Sequence, residues 1–307
     1  MIDPLLRAGY RRAREVTRHH AKSFYFSSFA LFGSRRRAAF ALYAFCRRLD
    51  DLVDEAPPAD LAQQLRRARA LVSSLYGSRT ALTPIAPWSL PELSATADTL
   101  ERFQIPEQPL QDLISGMEMD VAPRPYETYA DLDLYCYRVA GTIGLLLTPV
   151  LGFSSAAALA PAADLGRAMH LTNILRDLGE DLDRGRCYLP REDLDRFGVA
   201  EADLRAHRVD DRFVALLQFQ IDRARQLYQR AASGVGFLQG FGSQRLVRTM
   251  GAIYGGILSV IERQGYDVFS ARAFVPGRAK LAIALRVLLA PSTVLPAAPL
   301  ALAGSAK

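Results

Sequence analysis

Arg47-Arg48-Leu49-Asp50-Asp51-Leu52-Val53-Asp54-Glu55 and Asn173-Ile174-Leu175-Arg176-Asp177-Leu178-Gly179-Glu180-Asp181 decide how this chain is read. Both sit in helical periodicity. Leu42, Phe45/Cys46, Leu49 and Leu52/Val53 recur at three-to-four spacing, as do Leu171, Ile174/Leu175, Leu178 and Leu182. On such helices Asp50 and Asp54, and likewise Asp177 and Asp181, fall one turn apart on one face. Like charges at that spacing repel by about 0.2–0.5 kcal/mol per pair, a repulsion that a divalent cation turns into attraction. Two similarly built pairs far apart in sequence suggest a cavity holding hard cations and a ligand rich in phosphate oxygens.

Outward from these segments the helical pattern continues. Phe213, Leu216/Leu217, Ile221, Ala224 and Leu227/Tyr228 give another long helix, while Asn-Gly and Asp-Gly hairpin signals are absent. The fold class is therefore all-α, expected as a single-domain helical bundle around a central cavity. Turn residues cluster at Ala56–Pro58, Thr83–Pro91, Ile105–Glu107, Ala122–Pro125 and Gly185–Pro190. None reads as an interdomain linker. The helical domain is expected over residues 1–285, followed by an apolar, proline-containing tail over 286–307, disordered or lying on the surface.

Composition narrows the classes. The 307 residues are half hydrophobic and carry a formal charge of +6 with a pI near 9.4, which suits anionic lipid, diphosphate or nucleic acid equally. Three cysteines, Cys46, Cys136 and Cys187, form no CxxC pair, so neither a disulfide framework nor a zinc site is expected, and a reducing cytoplasm is the default. Arg7, Arg11, Arg12 and Arg14 interrupt any apolar leader, and Pro291, Pro296 and Pro299 break the apolar tail below the ~20 residues of a spanning helix. The basic Arg35-Arg36-Arg37 run comes without a nucleic-acid module, so nucleic acid is not an expected partner. Solvated helix ends or contact with anionic lipid at the cytoplasmic membrane surface are the readings for it.

The residues around the acidic pairs add chemistry. Tyr43, Arg47, Asp50 and Asp54 share a face of the first helix; His170, Asn173, Asp177 and Asp181 share one on the second. One neutral and two anionic oxygens suit Mg2+, with Mn2+ as the alternative. Arg176 and Arg186 can hold phosphate oxygens through planar guanidinium forks. For either run taken alone, a solvated acidic helix face is the plainer alternative.

These segments resemble the squalene and phytoene synthase family of head-to-head prenyltransferases. His20-Ala21-Lys22-Ser23-Phe24-Tyr25, Ala41-Leu42-Tyr43-Ala44-Phe45-Cys46-Arg47, Gly116-Met117-Glu118-Met119-Asp120, Tyr135-Cys136-Tyr137-Arg138-Val139-Ala140-Gly141-Thr142-Ile143-Gly144, and Asn173–Asp181 running on to Gly185-Arg186-Cys187-Tyr188-Leu189-Pro190 look like its signatures, in its order. The resemblance implies an isoprenoid-synthase bundle with the two aspartate motifs facing each other across a cavity mouth. Asp50, Asp54, Asn173, Asp177 and Asp181 would hold the metal. Lys22, Ser23, Phe24, Tyr43, Arg47, His170, Asn173, Arg176, Arg186, Tyr188 and Tyr254 would contact prenyl diphosphates. Position 170 departs from the family, which usually has Gln there; a second-layer histidine is as good a reading as a direct ligand, and a protonated one would add positive charge.

The expected reaction joins two geranylgeranyl diphosphates into phytoene through a cyclopropylcarbinyl diphosphate, releasing pyrophosphate. The runner-up is a presqualene diphosphate or dehydrosqualene synthase using two farnesyl diphosphates. A class I terpene cyclase and a catalytically dead helical binding protein are the rival classes. Gly234-Val235-Gly236 with Gly240 follows a helical pattern rather than a strand, so it fails the context of a dinucleotide fingerprint, and no reduced nicotinamide is expected.

Overall fold

A computed structural model describes residues 3–289 except 55–56, 58, 79–81, 85 and 122–123, and the side chain of Asp54. The helices in order are α1 (Pro4–His20), α2 (Lys22–Ser27), α3 (Gly33–Asp54), α4 (Leu61–Leu75), α5 (Leu90–Arg102), α6 (Gln108–Val121), α7 (Tyr129–Cys136), α8 (Thr142–Leu151), α9 (Leu159–Arg176), α10 (Leu178–Asp183), α11 (Arg191–Phe197), α12 (Glu201–Arg205), α13 (Asp211–Gly234), α14 (Phe241–Arg263) and α15 (Gly277–Leu289). Among the described residues there is no strand, only an isolated antiparallel bridge between Phe153 and Leu238. The chain is all-α.

Side-chain chemistry sets the ends of the elements. Asp3 caps α1 by accepting from the Leu5 amide, Ser89 and Glu92 form a capping box on α5, and Asp210 accepts from the first turn of α13. Two hydrophobic clusters result. One joins α1, α3, α4, α5, α6 and α8; the other gathers α7 and α9 to α15. Met169 and Tyr254 pack against both, and both line a cavity at the seam.

The cavity wall depends on close helix approach. A Cβ on Gly144 of α8 would fall 2.1 Å from the Ala162 carbonyl oxygen of α9, and one on Gly166 of α9 would fall 2.1 Å from that of Ala140. Only glycine permits that contact. Between α7 and α8 the chain forms a π-helical turn over Tyr137–Gly141, an arrangement frequent at functional sites. Here it presents Val139 and Ala140 to the cavity. Tyr129–Leu151 is long and apolar enough to cross a membrane. It is nonetheless a core helix, packed on α6 and α9 and walling the cavity.

Two boundaries differ from the sequence reading. The second acidic helix is not continuous: α9 stops at Arg176, and Asp177, at φ −102 and ψ 11, caps α10. The amide of Asp177 still reaches the Asn173 carbonyl at 2.8 Å, and that of Asp181 the Asp177 carbonyl at 2.9 Å. The one-turn spacing therefore survives a kink that periodicity cannot reveal. At the C-terminus α15 runs past residue 285 to Leu289, because Val287 still packs in the core and the first helix-ending proline is Pro291. The tail beyond Leu289 lies outside the described residues.

Candidate active site

The seam cavity has a volume of about 480 Å³. It takes polar groups from both sequence motifs: Tyr43, Arg47 and Asp50 of α3, and His170 and Asn173 of α9. Phe24, Leu146, Met169, Val235 and Leu246 are among its apolar walls. One cavity thus joins a charged region to a hydrocarbon one.

On α3, Arg47 lies 3.3 Å from Asp50 and 2.5 Å from Asp51. Tyr43 stands behind it, its hydroxyl pushed up to about 12, first by burial, and its ring is 5.6 Å from that of Phe24. The backbone places Asp54 at the end of α3, and its side chain lies outside the described residues.

On the second segment, Asn173 presents a buried Oδ1 that has no hydrogen-bond partner. A buried acceptor left unpaired costs about 1–3 kcal/mol, so it marks a place where a ligand would be satisfied. Asp177 is held from two sides. Arg176 Nε donates at 2.7 Å and Arg272 at 2.8 and 2.9 Å, through its Nε and Nη2. Burial opposes its ionisation, but these two guanidiniums outweigh burial and hold its carboxyl below the usual range. Asp181 lacks such a clamp: burial, then the charges of Asp177 and Glu180, push it up to about 6. Neither Asp177 nor Asp181 is among the cavity-lining side chains. The face expected to carry all four polar residues is split at the kink.

The other expected residues fall in two layers. Ser23 accepts from Lys280 Nζ at 3.0 Å, beside Lys22, which is exposed at the start of α2. Tyr254 lines the cavity. Arg186 sits near Asp181 and favours its charged form. Tyr188 is buried behind the wall rather than in it; its hydroxyl donates to Asp120 at 3.4 Å and its ring stacks on Tyr135 at 5.3 Å. His170 lines the cavity with its ring edge-on to Tyr135 at 5.3 Å, and burial lowers its pKa to about 4. It is therefore neutral at pH 7, and the added positive charge considered for it is not there.

Five contributors were not singled out from sequence. His20 lines the cavity beside Arg47. Asp120 and Tyr135 also line it, the Tyr135 hydroxyl donating to Asp120 at 2.9 Å. All three lie inside quoted signature segments, so the signal was present. Arg272 lies 95 residues from its partner Asp177, and no local pattern marks it. Lys280 is more remote still, 257 residues from Ser23.

Among the described residues no group of three His, Cys, Asp or Glu side chains is gathered tightly enough to hold an ion by itself. The donors nonetheless suit a hard cation: they are oxygens, one is an orphaned buried amide oxygen, and one carboxylate is pushed up by burial and by its acidic neighbours.

Comparison with known proteins agrees with this layout. The squalene/phytoene synthase family matches residues 17–279. A 15-cis-phytoene synthase from Synechocystis sp. is 40% identical over 89% of this chain and 82% of its own. A phytoene synthase from Arthrospira platensis is 39% identical over 90% and 91%. Among solved structures, a dehydrosqualene synthase in complex with ligand superposes with a TM-score of 0.83 at 30% identity, covering 92% of this chain and 96% of that one. Helical bundle, seam cavity and paired acidic segments thus come together in one known family: this chain is a prenyltransferase-type enzyme of the squalene/phytoene synthase family.

Proposed function

We propose that the protein condenses two geranylgeranyl diphosphates into phytoene, a C40 hydrocarbon, with loss of two pyrophosphates and two protons, one at each of the two carbon-skeleton steps. The observation that carries this reading is the single cavity in which Asp50 of one acidic segment and Asn173 of the other meet a long apolar wall. Such a cavity suits diphosphates at one end and prenyl chains at the other.

Asp50, Asn173, Asp177 and Asp181, with Asp54, would hold a divalent cation, Mg2+ by the hardness of the donors. Bound there, such a cation would supply positive charge against the pyrophosphate leaving group. Lys22, Arg47, Arg176, Arg186, Arg272 and Lys280 bind phosphate oxygens around it. The faces of Phe24, Tyr43 and Tyr254 stabilise the allylic cation left by ionisation. The second chain's double bond attacks that cation, and proton loss closes a cyclopropylcarbinyl diphosphate. A second ionisation and rearrangement follow. Asp120, held by Tyr135, is the cavity carboxylate placed to take the final proton. The unpaired cysteines suit a cytoplasmic setting.

Incubation with C15 and C20 diphosphates and Mg2+, with and without reduced nicotinamide, followed by mass analysis, tests this. A C40 hydrocarbon from the C20 substrate without reductant is expected. A cyclic product from one substrate molecule, or no pyrophosphate release, sinks it. The dehydrosqualene reading, favoured by the likeness to that enzyme's structure, wins if only a C30 product forms.

A further inference from the structure

Three segments without any acidic residue meet behind the apolar end of the cavity: 16–49, 134–163 and 223–261 contain no Asp or Glu. Their contact is close. Arg35 Nη1 donates to the Gln239 carbonyl at 3.1 Å, and the Ser154 amide donates to that of Phe237 at 2.9 Å. A Cβ on Gly242 would fall 2.2 Å from the Ala30 carbonyl oxygen. On the outside of this junction Phe29, Phe32 and Phe241 are 54%, 78% and 70% exposed. On its inside Leu151, Val235 and Leu238 line the cavity.

Two of the exposed rings carry their own cation. The Arg36 guanidinium lies 5.8 Å from the centre of the Phe29 ring, and that of Arg245 lies 5.6 Å from Phe241. Exposed large apolar groups gathered on one face mark an interaction site. Phenylalanines ringed by arginines, with no acid in the segments that build the face, match the chemistry of an anionic bilayer surface: rings enter the acyl boundary while guanidiniums stay at the headgroups. An acidic protein partner shares only the charge requirement and gives the protruding rings nothing to enter.

We infer that this face docks on anionic lipid, with Phe32 and Phe241 as the inserting groups and Arg36 and Arg245 as the headgroup contacts, so that the apolar end of the cavity lies next to the bilayer. The inference stands on surface and charge and does not depend on which prenyl diphosphate is used.

The test is flotation of the full chain with vesicles of phosphatidylcholine alone or mixed with phosphatidylglycerol. Binding is expected only to the mixed vesicles and weakens as salt is raised. Phe32→Ser/Phe241→Ser is expected to lower the bound fraction by roughly tenfold, and Arg36→Gln/Arg245→Gln by about the same, with turnover of detergent-dispersed substrate unchanged. Phe32→Trp supplies a second measurement: Trp88, the only native tryptophan, is 3% exposed, so a blue shift on adding mixed vesicles reports burial at position 32. The leucine-bearing outer face of α15 is the control, and Leu281→Ser/Leu285→Ser should bind like the parent. Partition unchanged in the Phe variant, binding indifferent to phosphatidylglycerol, or loss only in the α15 variant overturns the inference. So does light scattering that shows the phenylalanines joining two copies of the chain.

Discussion

The two acidic segments share a spacing and differ in their surroundings. On α3, Asp50 is half-exposed on the cavity wall beside Arg47, which it shares with Asp51. On the second segment, Asp177 sits between two guanidiniums while Asp181, one turn on, is pushed up to about 6 by burial and neighbouring charge. The same motif is thus solvated beside one arginine on one side, and on the other divided into a carboxylate clamped by two arginines and one that no arginine clamps. Spacing places carboxylates; the cations that reach them from elsewhere decide their electrostatics.

The largest effect expected from breaking this comparison is catalytic. Asp50→Asn and Asp177→Asn should each lower pyrophosphate release by about 10^3-fold or more, the scale of losing preorganised charge stabilisation, with far-UV circular dichroism unchanged. Near-normal turnover in either variant would contradict the assignment.

Next comes the clamp. Arg272→Gln leaves Asp177 with Arg176 alone, and kcat/KM for the prenyl diphosphate should fall roughly 10–100-fold, since a charge-assisted bidentate contact is lost. Arg272→Lys should recover only part, because an ammonium cannot reproduce the fork.

A smaller effect concerns pH. In metal-free protein Asp181 binds its proton more tightly folded, at about 6, than unfolded near 3.8. Between those values the folded state carries the extra proton, so the Asp181 contribution lowers stability as pH rises through that window. Asp177 has the opposite sign: its lowered pKa contributes stability above the ordinary carboxylate range, lost as pH falls. Asp181→Asn should therefore raise Tm above pH 6 by about 1–3 °C, after discounting for solvent screening, and flatten the slope between pH 4 and 6. Saturating Mg2+ should flatten it in the parent as well. Identical melting curves for parent and variant would refute the raised proton affinity of Asp181.

The least change is expected at His170. Because it is neutral at pH 7, His170→Gln should keep kcat within about threefold, whereas a loss of about a hundredfold would mean that its imidazole does chemistry.

Much of the fold was legible, because three-to-four apolar spacing around Leu49 and Leu175 requires helices whatever the tertiary contacts. The pairing of Asp50 with Asn173 in one cavity was legible too, through two matching motifs. What escaped had physical reasons. The break at Asp177 keeps its i-to-i+4 hydrogen bonds on both sides, so it leaves no trace in the pattern. Tyr188 was expected at the cavity, but stacking on Tyr135 turns it into the layer behind. Arg272 and Lys280 reach the site only because Val275 and Ile283 pack their segment on the core, a contact no local window contains. The apolar wall is likewise made by helix approach, at Gly144, which ends a quoted signature, and at Gly166, which lies in none.

Calorimetric titration of inorganic pyrophosphate with Mg2+ present is the most direct measure of whether the two segments form one site. With the acids coupled through shared cations, Asp50→Asn and Asp177→Asn each weaken binding by about a hundredfold and the double variant falls little further. Losses that simply add in the double variant would mean two independent acidic surfaces, contradicting a shared site.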